Sequence, residues 1–279
     1  MSIKIVTDST CDLPKEVTEA LDISVIPLYI NFPEKSCMDG IEITRKEFYE
    51  TLPDYEVPPT TSVPSINAFS DVYKRLLAQG ASAVISIHVS TLLSGAYNIA
   101  SLAAETVGNA VIKTFDANNL SLATGVVVEE AARLAQAGRP LDEILTRIRD
   151  LSNRVGIFAA LDTLKFLRRS GRVSMIKASL GSLLQIKPVM KMFHGKVGMD
   201  AARTTSGAYK HLMDLIRSLG PLEQLHLVHT NAPEKAEELR REALELFPQT
   251  VSPYSVDVTP VIGSHIGPGA AGFVFVTAK

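Results

Sequence analysis

A chain of 279 residues with 46% hydrophobic and 21% charged residues has the length and composition of a globular protein with two domains. Its formal net charge of −2 argues against a nucleic-acid or anionic-membrane partner, and its longest apolar runs are too short to span a bilayer. Cys11 and Cys37 are the only cysteines and lack metal-type spacing, so we expect no disulfide, metal or cofactor. The chain starts directly with a strand-like run at 3–6, so we expect a cytoplasmic protein without an export signal.

The first half of the chain alternates short β-branched runs with helical periodicities. This alternation predicts βαβ units around a mainly parallel sheet. We predict strands at 3–7, 24–32, 83–89 and 110–115, and helices at 14–21, 46–52, 66–79, 94–107, 121–137 and 141–153. Thr44 is the expected N-cap of the second helix, and Gly80 the expected stop of the third.

The second half resumes the alternation and predicts a second α/β domain. We expect strands at 155–160, 187–193, 196–200, 224–229, 252–258 and 272–277, and helices at 161–170, 176–184, 206–219 and 233–246. His194 and Gly195 are expected to form the turn of a β-hairpin. A boundary near residue 153 gives two predicted domains, 1–153 and 154–279.

Two runs of small hydroxylated residues give the strongest functional signal. Residues 59–65 read Pro-Thr-Thr-Ser-Val-Pro-Ser, and residues 90–95 read Ser-Thr-Leu-Leu-Ser-Gly. We expect each run to open a helix, where hydroxyls, backbone N–H groups and the helix dipole favour an anion such as a carboxylate or phosphate. Serine and threonine before a helix are also ordinary N-caps, so this alternative stays open.

An ordered set of motifs along the chain resembles one known family. The motifs are Val6–Thr10, Thr60–Ser65, Leu93–Tyr97, Leu164–Ser174, Leu184–Val189, Arg203–Thr205 and Gly263–Gly269. In order and approximate spacing they are similar to those of the DegV family of fatty-acid-binding proteins, over essentially the whole chain. The resemblance implies two α/β domains and a lipid tunnel that runs from their interface into the second domain. It also implies a long-chain fatty acid such as palmitate as ligand and, in some members, a separate fatty acid kinase as partner.

The resemblance carries over to individual residues. Thr61 and Ser94 match positions expected to hydrogen-bond the carboxylate, and His265 resembles a third headgroup contact. The hydroxyl of the first run that makes the contact remains open among Thr60, Thr61 and Ser62.

Arg172 and Arg203 match arginines thought to meet the kinase, although a solvated loop charge or a helix-end contact is an alternative for each. Residue 96 is a departure, since the family often has a hydroxylated residue where this chain has Ala96.

The proposed ligand is mostly hydrocarbon, so its tail supplies most of the affinity. Burying about fifteen methylenes at about 0.8 kcal/mol each yields roughly 12 kcal/mol before the costs of ordering. Flexible methionines suit such a tail, and four of them cluster in the second domain, at Met175, Met190, Met192 and Met199. Filling of gaps in an ordinary core is the alternative explanation.

Two other functions compete with lipid binding. A serine hydrolase of lipid esters would use Ser94 as nucleophile, His265 as base, and Asp8 or Asp116 to orient the base. Ser94 does not lie in a Gly-x-Ser-x-Gly elbow, and both aspartates suit helix caps or turns. A phosphometabolite binder would be expected to carry a Gly-x-Gly-x-x-Gly motif after the first strand or a Walker loop, and neither is present; the glycine-rich run at 263–269 lacks the lysine of a Walker loop.

Overall fold

The structure is a computed structural model that describes residues 2–108, 111–171, 186–249 and 251–279. The chain forms two compact units, Met1–Tyr29 with Ser62–Asn153, and Ile30–Thr61 with Arg154–Lys279. The two continuous domains that we predicted, 1–153 and 154–279, differ from these units in one respect. Residues 30–61 were predicted in the first domain and group with the second unit.

The described strands and helices follow the predicted alternation. The strands are β1 Ile3–Asp8, β2 Ile23–Ile26, β3 Tyr29–Asn31, β4 Ser36–Met38, β5 Thr60–Ser62, β6 Ala83–His88, β7 Ile112–Asp116, β8 Val155–Ala160, β9 Lys187–Phe193, β10 Lys196–Ala202, β11 Leu222–His229, β12 Ser255–Asp257 and β13 Ala271–Thr277. The helices are α1 Lys15–Ala20, α2 Arg45–Thr51, α3 Ile66–Ala78, α4 Ala96–Thr106, α5 Leu122–Gln136, α6 Leu141–Arg154, α7 Lys165–Arg169, α8 Thr205–Arg217, α9 Pro233–Glu242 and α10 Pro260–Ile266.

The first unit is built on a four-stranded sheet in the order β2-β1-β6-β7, and every pairing in it is parallel. Helices α3 and α4 pack on one face over a core that includes Val6, Phe69, Tyr73 and Val84. Helix α5 contacts β1 and β6. The prediction of a mainly parallel α/β sheet in this half is confirmed.

The second unit is built on a six-stranded mixed sheet in the order β10-β9-β8-β13-β11-β12. Only β11 and β12 pair in parallel, and the other neighbours are antiparallel. Helices α8 and α9 supply Leu212, Ile216 and Leu239 to the core on one face of this sheet. The β9–β10 hairpin turns at His194 and Gly195, whose φ values of 52° and 66° fit the turn that we predicted.

The segment Ile30–Thr61 is fixed to the second unit by buried contacts. Its helix α2 starts at a capping box, in which Thr44 and Glu47 bond reciprocally. Tyr49 Oη donates a hydrogen bond of 2.9 Å to the carbonyl of Val258. The Thr259 hydroxyl donates to the buried carboxylate of Asp39. These contacts connect the segment to the start of α10.

Several local predictions need correction or lie outside the structure, and one helix was missed. Thr60–Ser62 forms a strand and does not open a helix, because α3 starts only after Ser65, whose hydroxyl caps it. The helix predicted at 161–170 is shorter and begins at Lys165. Helix α10 was not predicted, because its glycine and proline content resembles a loop. The helix predicted at 176–184 lies outside the described residues.

Within the described ranges, no helix is both long enough and apolar enough to cross a membrane.

Candidate functional site

The strand order of the first unit contains a topological switch point. The chain runs from β1 outward to β2 on one side, whereas β6 and β7 continue on the other side of β1. In open parallel sheets, ligands bind at the carboxyl ends of the strands at such a point. Here those ends lead into a 3-10 turn at Ser9–Cys11 and into the turn at residues 90–94, which carries the second hydroxyl run.

Ser94 lies at the end of a tight turn that leads into α4. The Ser90 carbonyl accepts hydrogen bonds from the Leu93 and Ser94 amides at 2.9 and 3.1 Å. The Ser94 hydroxyl oxygen accepts from the Ala96 amide at 3.2 Å, at the first residue of the helix. The prediction that this run opens a helix is therefore confirmed. Ser94 is half-buried.

Two aspartates shape the turn from the neighbouring strands. Asp116, at the end of β7, accepts from the Thr91 amide at 3.2 Å and from the Thr91 hydroxyl at 2.7 Å. Asp8, at the end of β1, accepts from the Val89 amide at 3.3 Å. Both carboxylates act as turn formers, which is the alternative that the sequence left open for them.

Thr61 and His265 form a pair within the second unit. Thr61 Oγ1 and His265 Nε2 are 3.0 Å apart, although 204 residues separate them in the sequence. Thr60 and Ser62 are exposed and point to the opposite side of β5, because side chains alternate along a strand. This geometry distinguishes Thr61 from its two hydroxylated neighbours.

Helix α10 presents His265 from its last turn, so part of the motif Gly263–Gly269 is helical. The helix ends at Gly267, whose φ of 75° is a left-handed conformation. The ring of Phe166 packs so closely on Gly267 that an added Cβ would lie 2.2 Å from it. Glycine is therefore required there both by the backbone and by the neighbouring ring.

The other predicted residues fall in separate places. Arg203 is exposed in the bend between β10 and α8, whereas Arg172 and Met175 lie outside the described residues. Met190, Met192 and Met199 are buried, and Met190 pairs with Met199 across the hairpin. Alternation along β9 and β10 directs these three side chains to the sheet face opposite α8.

A shallow surface depression opens on the α8 side of the second unit, away from the methionine face. Two lysines line it: Lys187 pairs with Asp162 at 2.9 Å, and Lys235 donates to the Gly269 carbonyl at 3.0 Å. Burial and the nearby carboxylates of Asp162 and Glu238 raise the pKa of Tyr209, another lining residue, to about 12. The ammonium groups of Lys187 and Lys235 therefore already have partners in the protein.

The residues proposed for a hydrolase have other partners. His265 bonds Thr61, Asp116 bonds Thr91, and Asp8 bonds His88. Ser86, His88 and Asp8 form another hydrogen-bonded series, in the order found in a Ser-His-Asp triad. All three side chains are fully buried. The sequence analysis did not identify this series, although Ser86 and His88 are two residues apart on β6 and therefore lie on the same face of a buried strand.

Burial and hydrogen bonding act in opposite directions on Asp8. Desolvation raises its pKa, but hydrogen bonds from His88 and Thr10, together with the charge of His88, hold the pKa below its ordinary value. Asp8 is thus a buried carboxylate at the switch point. In the described part of the chain, no group of three or more His, Cys, Asp or Glu side chains is placed to hold a metal ion.

Comparison with known proteins gives a consistent result over the full length. The protein called DegV from Bacillus subtilis is 34% identical over 278 residues, which cover 98% of each chain. Its solved structure, described as that of a fatty acid binding protein, superposes with a TM-score of 0.89 at 31% identity and covers 100% of both chains. A structure described as showing fatty acid binding by a Thermus thermophilus DegV family protein has a TM-score of 0.90 at 30% identity, again with 100% coverage.

A stearic acid-binding protein from Eubacterium ventriosum is 26% identical, with a TM-score of 0.89 and coverage of 99% of this chain and 98% of that one. The family model described as "Uncharacterised protein, DegV family" matches residues 2–278. With its motifs in order, its fold and its relatives in agreement, this chain belongs to the DegV family.

Proposed function

We propose that this protein binds a long-chain fatty acid and holds the carboxylate with hydroxyl groups. The observation that carries the proposal is the Thr61–His265 pair, 3.0 Å apart. When His265 Nε2 donates to Thr61 Oγ1, the threonine proton remains to be donated outward. A carboxylate can only accept hydrogen bonds, so it is the complementary partner for that proton.

The same logic supports Ser94 within its own unit. Its oxygen accepts from the Ala96 amide, and its hydroxyl proton can be donated to an anion. The dipole of the eleven-residue helix α4 adds a favourable field for negative charge at this end. Ser62 remains a predicted contact on the grounds of the resemblance alone.

For the acyl chain, we propose a tunnel bounded by the methionine face of the second unit's sheet. Met190, Met192 and Met199 share this face, and their flexible thioether side chains can adapt to a hydrocarbon tail. The three solved relatives compared above support binding of a fatty acid, since two of those three are described as fatty acid binding and one as binding stearic acid.

Native mass spectrometry after mild purification tests the proposal directly. We expect an added mass equal to that of a fatty acid, and uptake of labelled palmitate by protein stripped of lipid. Protein that carries no added mass and also fails to take up palmitate would contradict fatty-acid binding. Labelling of Ser94 by an active-site serine probe would instead favour the hydrolase.

We further propose that the protein performs no bond chemistry alone and presents the bound carboxyl group to a separate kinase. The resemblance supports this proposal, and Arg203 is exposed, as a partner contact requires. In the presence of a fatty acid kinase and ATP, we expect acyl phosphate, trapped as a hydroxamate with hydroxylamine. Equal hydroxamate formation with and without this protein would contradict the role.

A further inference from the structure

A continuous hydrogen-bonded chain of side chains lies beneath the Ser94 turn. His88 Nδ1 is 2.9 Å from Asp8 Oδ2, and His88 Nε2 is 2.7 Å from Ser86 Oγ. The Ser86 hydroxyl is in turn 2.8 Å from the Tyr73 hydroxyl. The chain thus connects α3 to the carboxyl ends of β6 and β1.

This chain has the connectivity of a Ser-His-Asp triad but not its accessibility. Ser86, His88 and Asp8 are each 0% exposed, and the edge-on ring of Phe69 lies 5.5 Å from the imidazole of His88. A nucleophile must reach its substrate, so Ser86 is not placed for acyl transfer. Its burial instead indicates a structural or electrostatic role for the chain.

Asp8 is the residue on which this arrangement converges. Its Oδ1 accepts from the amide and the hydroxyl of Thr10, and its Oδ2 accepts from His88 Nδ1 and the Val89 amide. Val89 immediately precedes Ser90, whose carbonyl closes the turn that ends at Ser94. One carboxylate therefore fixes the starts of both loops at the switch point.

His88 fixes the orientation of Asp8 from within the first unit. Its Nδ1 donates to Asp8 Oδ2 at 2.9 Å. The Ser86 hydroxyl at the other imidazole nitrogen keeps the ring oriented. The side chain of Asp8 is therefore held at both oxygens, by Thr10 on one and by His88 and the Val89 amide on the other.

We infer that Asp8 is a positioning residue for Ser94, and that His88 holds the Asp8 carboxylate in the orientation that closes the turn. The test of the second part with lipid probes rests on the proposed binding of a carboxylate. The first part concerns only the first unit and holds for any ligand.

Two variants separate the two parts of the inference. Asp8→Asn removes the charge and one strong acceptor, whereas His88→Asn keeps a donor toward Asp8 but removes the imidazole nitrogen that meets Ser86. Asp12→Asn is the matched control, because Asp12 is also a buried aspartate and bonds Ser121, outside the turn. Asp8→Glu keeps the charge but displaces the oxygens, and it replaces Asp8→Asn should that variant fail to fold.

Amide hydrogen exchange of the peptide that covers residues 89–94 reports on positioning without any lipid. We expect Asp8→Asn to speed exchange in this peptide at least about tenfold, and Asp12→Asn to leave it unchanged. Wild-type exchange rates in a folded Asp8→Asn or Asp8→Glu variant would overturn the positioning role.

Binding of palmitate and of hexadecanol reports on the headgroup turn, because the two probes differ only in the headgroup. We expect His88→Asn to weaken palmitate binding about tenfold and hexadecanol binding by less than about threefold. Equal weakening of both probes would overturn the role of His88. If the wild-type protein binds neither probe, the proposed function fails, while the exchange experiment still decides the role of Asp8.

Discussion

At the scale of single residues, the shared feature of Thr61 and Ser94 is that each oxygen has a donor nearby in its own unit. His265 Nε2 lies 3.0 Å from the threonine oxygen, and the Ala96 amide donates to the serine oxygen. A hydroxyl that already accepts is oriented to donate, which suits a carboxylate better than a neutral carbonyl. The chemistry therefore depends on the partners of each hydroxyl as much as on its presence.

Thr61→Val tests this residue-scale argument, because valine keeps the shape and the strand preference of threonine but has no hydroxyl. We expect palmitate affinity to fall about tenfold, in line with the loss of one hydrogen bond to a charged group. Ser94→Ala should cause a similar loss. Displacement of a fluorescent fatty acid measures both.

Thr60→Val is the matched control, since Thr60 is an exposed threonine on the opposite side of the same strand. We expect it to bind palmitate like the wild-type protein. Undiminished affinity in a Thr61→Val, Ser94→Ala double variant would refute the headgroup assignment.

At the scale of elements, the close approach of α5 to the turn after β1 shows how packing overrides helix propensity. Gly125 lies within α5, where alanine is ordinarily preferred by about 1 kcal/mol. An added Cβ at this position would lie only 2.4 Å from the Cys11 carbonyl oxygen. Glycine thus permits the helix to approach the backbone that follows β1.

We therefore expect Gly125→Ala to lower the free energy of unfolding by about 1–3 kcal/mol, although it raises helix propensity. Urea denaturation measures the change. Gly95→Ala is the control, since Gly95 has a φ of −81° and open space around it, and it should stay within about 0.5 kcal/mol of the wild-type protein. A Gly125→Ala variant as stable as Gly95→Ala would show that α5 can move outward at no cost.

At the scale of the whole molecule, stability depends on groups that are buried without charge. His226 is buried in β11, where Nδ1 accepts from the Tyr254 amide and Nε2 bonds Gln224. Desolvation lowers the pKa of His226 from 6.5 to about 4. Between these two pH values the unfolded chain binds a proton that the folded chain does not. Acid therefore destabilises the fold across this window.

We expect this residue to account for about 3 kcal/mol of stability that is lost as the pH falls from about 6.5 to about 4. His226→Asn keeps an acceptor for the Tyr254 amide and removes the titration. Its free energy of unfolding should therefore depend less on pH than that of the wild-type protein. Urea denaturation at several pH values between 4 and 7 measures the difference.

His194→Asn is the control for this pH series. It lies in the β9–β10 turn, where an Asn-Gly pair is favoured, so the substitution should be tolerated and shows the effect of a His-to-Asn change outside β11. Parallel pH curves for the wild-type protein and His226→Asn would contradict the assignment to His226.

Much of the fold follows from local patterns in the sequence. The alternation of β-branched runs and helical periodicity predicted β1, β8 and β9 and the helices α5 and α6 within one or two residues. These patterns predict helices and strands because burial of one face of an element makes its apolar residues recur at a fixed spacing. The motifs likewise identified the family, because their order and spacing can be read directly from the sequence.

Only the tertiary structure decided which distant residues meet. It paired Thr61 with His265 across 204 residues and Asp8 with His88 across 80, and it assigned the segment Ile30–Thr61 to the second unit. The strand order that creates the switch point is likewise absent from any local pattern. Periodicity specifies which face of an element is buried, whereas the choice of partner depends on the packing of the whole unit.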